Sequence, residues 1–182
     1  LHSVTNLLAT NPYVCIIALD FSKAFDTVRH STLLEKMAKL EIPDNVYNWL
    51  VDFFHGHAHC TQYNGIVSAL HEITASLIQG SSLGPSSYVV NAADLKAVTK
   101  GNEMTKFADD TYIIIPASNI DTREMEIGNV EIWARANNLK LNRSKCCEII
   151  ITDNRRRTQN KTSPVVLDGL HGVTSLKILG IT

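Results

Sequence analysis

Two short runs of β-branched and aliphatic residues limit what this chain can fold into. Val14 to Leu19, "VCIIAL", ends on Asp20, and Tyr112 to Ile115, "YIII", follows the adjacent acids Asp109 and Asp110. Apolar runs of this length and composition, bounded by polar residues, read as buried strands. Three carboxylates therefore stand at strand ends. Adjacent anions repel each other, and a charge taken out of water without a partner costs several kcal/mol, so the pattern asks for a cation.

The intervening sequence supplies helices and turns. Thr32 and Glu35 have capping-box spacing, with Leu33, Leu34, Met37 and Leu40 on one helical face. Asp44, preceded by Pro43, heads a second helix whose Val46, Trp49, Leu50, Phe53 and Phe54 recur at helical spacing and are expected to pack on a core. Asn64-Gly65 is a strong two-residue hairpin signal, because both central residues of a type I′ turn take positive φ. A helix is expected from Pro85 or Ser86 to about Lys100, and a hairpin with Asp109-Asp110 at its turn follows. Asp121 and Glu124 have capping-box spacing for another helix, which Asn137-Asn138 can close in the left-handed conformation. "CCEIIIT" and "LKILGIT" read as further strands, and the polar, basic "DNRRRTQNKTSP" between them as a solvated loop. The order of elements implies an α+β domain with a mostly antiparallel sheet and helices on one face, in which Asp20 and Asp109-Asp110 end neighbouring central strands. If those strands pair, the acids form the oxygen-only donor set that Mg²⁺ prefers, and two such ions support phosphoryl transfer; taken alone, Asp109-Asp110 reads more readily as ordinary turn residues, since Asp favours turns.

Composition narrows the class. Of 182 residues, 45% are hydrophobic and 19% charged, which suits one buried core, and no repeat or linker divides the chain. The formal net charge of −1 announces no global basic field, so a nucleic acid would be held by a local patch. Cys15, Cys60, Cys146 and Cys147 lack C-x-x-C spacing, which points to reduced thiols and an intracellular protein. The apolar stretch Val14 to Leu19 is too short to span a bilayer, and no cationic segment follows Leu1, so neither secretion nor a membrane is expected. The absence of an initiator Met leads us to expect a fragment.

Five motifs add a resemblance. "ALDFSKAFDTVRH" (18–30), "IQGSSLGP" (78–85), "FADD" (107–110), "NNLKLNRSKC" (137–146) and "LKILGI" (176–181) stand in the order and approximate spacing of the palm motifs of reverse transcriptases. The chain resembles those of non-LTR retrotransposons of the Jockey-like kind from about Tyr13 to its end. The resemblance implies a right-hand polymerase palm over residues 1–182, with incomplete fingers and no thumb. It implies RNA-templated DNA synthesis with two Mg²⁺ ions, or Mn²⁺ in their place. The implied partners are an RNA template, a DNA primer, dNTPs and other domains of the parent element, an endonuclease being a candidate. The implied location is the nucleus and cytoplasm.

Residue by residue, Asp20 matches the first metal-binding acid, with the backbone carbonyl of Phe21 as a further ligand. Asp109 and Asp110 match the paired acids of the F/Y-x-D-D box. Phe25 matches the bulky residue that closes the sugar pocket, and its size gives a reason to exclude a ribose 2′-hydroxyl. Gln79 and Gly80 match the pair beside the incoming nucleotide, and glycine lets backbone approach substrate closely. Lys145 resembles the lysine that serves as general acid for pyrophosphate departure. "LKILGI" resembles the start of the primer grip.

Alternatives stand beside these assignments. Phe25 also reads as core, Gln79-Gly80 as an ordinary turn and Lys145 as a solvated lysine. His55, His57, His59 and Cys60 suit zinc by residue type, but no second ligand pair stands at structural-site spacing, and a helix-to-hairpin connection is the preferred reading. Arg155, Arg156, Arg157 and Lys161 suit either phosphate contact or a solvated loop. A second functional reading is a catalytically silent remnant that at most binds nucleic acid; truncation at both ends motivates it, and the retained acids count against it. An RNA-copying RNA polymerase fits less well with Phe25 at the sugar gate.

Overall fold

The β-branched runs form strands, and the two strands pair with each other. The computed structural model describes residues 2–78, 80–153 and 164–178. In chain order the elements are α1 (His2–Thr10), β1 (Tyr13–Leu19), α2 (Ala24–Thr27), α3 (His30–Met37), α4 (Asp44–Phe54), β2 (Ala58–His59), β3 (Gln62–Tyr63), β4 (Ile66–Val67) and β5 (His71–Glu72). Then come α5 (Leu83–Ala92), β6 (Glu103–Phe107), β7 (Asp110–Pro116), α6 (Arg123–Ala136), β8 (Cys147–Thr152) and β9 (His171–Gly172). Short 3₁₀ segments lie at Ala117–Thr122 and Arg143–Lys145.

These elements divide into two compact units. The first takes the described residues of Leu1–Ser22, Leu95–Ala136 and Lys140–Thr182, and the second takes Lys23–Asp94 with Asn137–Leu139. The first unit is built on a five-stranded sheet of order β6-β7-β1-β8-β9. Every pairing is antiparallel except β8 with β9. β1 is central, and Val14, Cys15, Ile16, Ile17 and Leu19 are all buried. A strand buried on both faces reads as a continuous apolar run because neither side meets water.

The two faces are covered differently. Val14, Ile16, Tyr112 and Ile114 cluster with Val4 of α1, with Leu7, Leu8, Ile149 and Ile151 packed around them. On the other face the Cys15 thiol donates to Glu148 Oε1 at 3.1 Å, and Glu148 pairs with Arg123 at the head of α6 at 2.5 Å. Ile127, Val130 and Ala134 of α6 are buried. The helix α1, which no periodicity disclosed, thus adds cover on the face opposite α6.

The second unit holds α2 to α5 and two short ribbons, β2 with β5 and β3 with β4. Asn64 and Gly65 turn the inner ribbon with φ of 48° and 78°, the positive pair that a type I′ turn requires.

Tertiary contacts move several boundaries. α3 begins at His30 rather than at Thr32, because the His30 amide is already engaged by Thr74 O at 3.0 Å. Asp44 sits inside α4, with Pro43 at the cap position. Of the α4 apolar residues, Leu50 and Phe54 are buried, while Val46 and Trp49 are 42% and 53% exposed, so only part of that stripe meets a core. α5 stops at Ala92, short of Lys100, because the Val98 and Thr99 amides donate to Glu126 instead of to helix carbonyls. α6 starts at Arg123 after the 3₁₀ segment, rather than on an Asp121 cap. Asn138 takes the left-handed conformation expected of it, with φ 58°. Residues 179–182 of the expected strand "LKILGIT" and the basic residues Arg155, Arg156, Arg157 and Lys161 lie outside the described residues.

Glu126 carries a testable share of this arrangement. It is fully buried and accepts from Val98 N at 3.0 Å, Thr99 N at 2.8 Å and Asn102 Nδ2 at 2.8 Å. Burial alone would raise its pKa, but these donors outweigh it and hold the carboxyl below the usual range. A lowered folded pKa contributes stability that is fully present above the unfolded value near ~4.3 and is lost as pH falls through the folded value. Glu126→Gln is expected to cost about 1–3 kcal/mol at neutral pH, with the gap to the parent chain narrowing in acid. Urea unfolding across pH measures it.

Candidate active site

Register brings two of the three acids to one end of the sheet. β1 and β7 run antiparallel with Ala18 opposite Tyr112 and Leu19 opposite Thr111. Extending the ladder one step sets Asp20 across from Asp110, and a further step sets Phe21 across from Asp109. Residues opposed in an antiparallel pair have Cα atoms about 4.5–5.5 Å apart. Side chains alternate, so Asp20 continues the face of Ile16 and Ala18, and Asp110 continues the face of Tyr112 and Ile114. Both acids share that face. Asp20 is half-buried, whereas Asp109 and Asp110 are exposed.

The acids of β7 sit on a strained turn. Phe107 pairs with Asp110, leaving Ala108 and Asp109 as the connection between β6 and β7. Ala108 has φ 52°, a region that glycine enters freely and alanine enters at a cost of about 1–3 kcal/mol. Thr111 Oγ1 donates to Asp109 O at 3.4 Å, a weak brace from within β7.

Backbone on the other side of β1 orients Phe21. Ser22 N–H donates to Lys140 O at 2.9 Å and Asn142 N–H donates to Asp20 O at 2.8 Å, with Phe21 opposite Leu141. In this antiparallel pattern the opposed residues are the non-hydrogen-bonded pair, so the Phe21 carbonyl turns away from residues 140–142, toward the edge along which β7 runs. The Phe21 ring meets Trp133 edge-on at 6.0 Å, fixing the segment against α6.

Chemically, the strand ends offer carboxylate and carbonyl oxygens only. Burial pushes the Asp110 carboxyl up, and the neighbouring Asp109 charge adds to it. That repulsion is what a hard cation would relieve, so the donor set fits Mg²⁺ or Mn²⁺. Among the described residues, no three His, Cys, Asp or Glu side chains gather into a cluster able to hold a metal ion. Asp20 and Asp110 are brought to adjoining strand ends without their carboxylates, or that of Asp109, closing on a shared point.

The remaining expected residues are distributed over both units. Lys145 is exposed at the end of the 3₁₀ segment Arg143–Lys145 in the first unit. In the second unit Phe25 stacks on Tyr88 at 4.8 Å and 24°, and Tyr88 is buried. Phe25 O accepts from Leu77 N–H at 2.8 Å, which joins α2 to the segment leading into Gly80. Gly80 has φ 85°, and a Cβ there would meet open space, so the backbone conformation is the chain's own reason for glycine. Gln79 lies outside the described residues. His55 and His57 follow α4 and line a cavity with His30, Phe54 and Glu72, whereas His59 lies in β2 opposite His71. Sequence reasoning missed Tyr88, Asn142 and Cys146 as positioning residues, their signal being a position inside or beside the quoted motifs, and it read Trp133 only as part of an apolar helix face.

Comparison with known proteins adds kinship. The model of a family described as reverse transcriptase (RNA-dependent DNA polymerase) matches residues 2–182. RNA-directed DNA polymerases from the mobile element jockey of Drosophila melanogaster and Drosophila funebris are 28% and 29% identical over 164 and 168 residues. Those matches cover 82% and 84% of this chain, which spans only 18% of each relative. Among solved structures, telomerase from Candida tropicalis in complex with a fragment of telomeric RNA superposes with a TM-score of 0.65 at 15% identity, covering 90% of this chain and 30% of that one. The corresponding telomerase from Candida albicans gives 0.57 at 13% identity, covering 90% and 32%. At such identities the likeness is one of fold. Among the described residues, no helix is long and apolar enough to cross a membrane.

The stack behind Phe25 sets a measurable expectation. Tyr88→Ala removes a buried ring and is expected to destabilise the protein by roughly 3–5 kcal/mol. Tyr88→Phe, which keeps the ring, is expected to cost about 1 kcal/mol. Urea denaturation of the two variants distinguishes packing from the hydroxyl.

Proposed function

The chain belongs to the reverse transcriptase family, and from that premise we propose that residues 1–182 carry the palm of an RNA-directed DNA polymerase acting on an RNA template, a DNA primer and dNTPs. The observation that carries the reading is the register of β1 on β7, which ends with Leu19 opposite Thr111, the residues next to Asp20 and Asp110, in a chain matched to the family over residues 2–182.

In this reading Asp20, Asp109, Asp110 and the Phe21 carbonyl would hold two divalent cations, Mg²⁺ or Mn²⁺. When bound, such ions activate a hydroxyl nucleophile and neutralise charge on a phosphoryl group in transfer. The protein's own part is positioning. β1 and β7 present the acids from a rigid sheet, and the turn at Ala108 sets them at its rim. Phe25, backed by Tyr88, excludes a ribose 2′-hydroxyl. Gly80 leaves room for the incoming nucleotide beside Gln79. Lys145, exposed and next to the acid-bearing segment in the motif order, protonates departing pyrophosphate. In this reading the palm works with other domains of the parent element, an endonuclease being a candidate, in the nucleus and cytoplasm.

Primer extension by the full-length protein tests the reading. Asp20→Ala and Asp109→Ala are each expected to lower extension by about 10³-fold or more, and Lys145→Leu by about 10²-fold. Phe25→Val is expected to raise ribonucleotide incorporation relative to dNTP by about 10–200-fold. Unchanged extension by Asp109→Ala would refute the assignment of roles. A folded parent protein that shows no extension would favour the silent remnant.

A further inference from the structure

Asp20 is held from behind by a closed ring of hydrogen bonds. Its amide donates to Cys146 Sγ at 3.4 Å, the Cys146 thiol donates to Asn142 O at 3.3 Å, and the Asn142 amide donates back to Asp20 O at 2.8 Å. Cys146 is 1% exposed, so no water competes for its sulfur. The ring bridges a discontinuity in the sheet. β8 pairs with β1 as far as Ala18 opposite Cys147, whereas Phe21 pairs with Leu141, so the ladder skips the turn at Arg143–Lys145. At that skip the Asp20 amide has no strand carbonyl to meet, and the Cys146 sulfur takes the place of one. The same turn carries Lys145 one residue before Cys146.

We propose that Cys146, acting with the Asn142 backbone, is a positioning residue that fixes the Asp20 peptide and so aims its carboxylate at the strand-end site. The assignment rests on Asp20 being a cation ligand, and it makes the turn bearing Lys145 and the segment bearing Asp20 one rigid piece. Only a small side chain with both an acceptor and a donor satisfies the ring. Serine reproduces it, and valine, of similar shape, cannot. Partners behind a metal ligand typically change metal affinity by about 10–100-fold when removed.

The experiment compares Cys146→Val with Cys146→Ser in the full-length protein. In the metal-free state, amide hydrogen exchange is read at Asp20 and at Ile17, which lies in β1 away from the ring. Cys146→Val is expected to speed Asp20 exchange by about 10-fold relative to Ile17, and Cys146→Ser to leave the ratio within about twofold. Calorimetric titration with Mn²⁺ is expected to show affinity about 10-fold weaker in Cys146→Val and near the parent value in Cys146→Ser. Should the valine variant not fold, Cys146→Ala removes the sulfur without adding bulk and carries the same expectation. Equal behaviour of the serine and apolar variants, or Asp20 exchange that only follows Ile17, overturns the proposal. Asp20→Asn separates the two layers. If it binds Mn²⁺ as tightly as the parent chain, the ligand assignment fails whatever the exchange data show.

Discussion

The pairing of β1 with β7 is the constraint on which the rest of the molecule depends. Ile17, Ile113 and Ile115 are wholly buried, and each such side chain contributes about 1.5–3 kcal/mol by leaving water. A slip of one residue would turn all of them to the opposite face, so the register is enforced by the core. The acids at the strand ends inherit that register. Asp20 and Asp110 come to adjoining strand ends because the apolar residues behind them have one favourable alignment, even though like charges gain nothing from approaching. Packing thus holds together an anionic edge.

Buried polar groups do the finer positioning around this edge. Glu148 is the clearest case, since it takes the Cys15 thiol, the Arg123 guanidinium and the Leu167 amide at 3.0 Å, tying β1, α6 and the segment before β9 together. Glu126 performs the same task for the loop after α5. Each carboxylate is fully hydrogen-bonded, which is the condition under which a buried charge is tolerated. Removing a donor from either network weakens the compensation of a buried charge, so these side chains matter more than their number suggests.

Much of the fold was legible in the sequence, for reasons that are local. The β-branched runs marked β1 and β7, Asn64-Gly65 marked a turn whose φ values only such residues adopt readily, and Asn138 marked the end of α6. Helix boundaries were less legible. Capping-box spacing at Thr32 and Asp121 misled because the His30 amide is claimed by the distant Thr74, and because Asp121 lies within the 3₁₀ segment that precedes α6. The apolar stripe of α4 likewise promised a face wholly in the core, and Trp49 and Val46 are instead exposed.

What the sequence determined by itself was the inventory. It set which short stretches prefer extended backbone, which dipeptides turn, and which oxygen, sulfur and amine donors stand in the five motifs. Only the tertiary structure decided who meets whom. The Asp20 amide finds Cys146 across 126 residues, and Cys15 finds Glu148 across 133. No periodicity encodes such encounters, because a ladder's register is settled by the burial of whole strands against each other, and the side chains at its end take whatever neighbours that alignment presents.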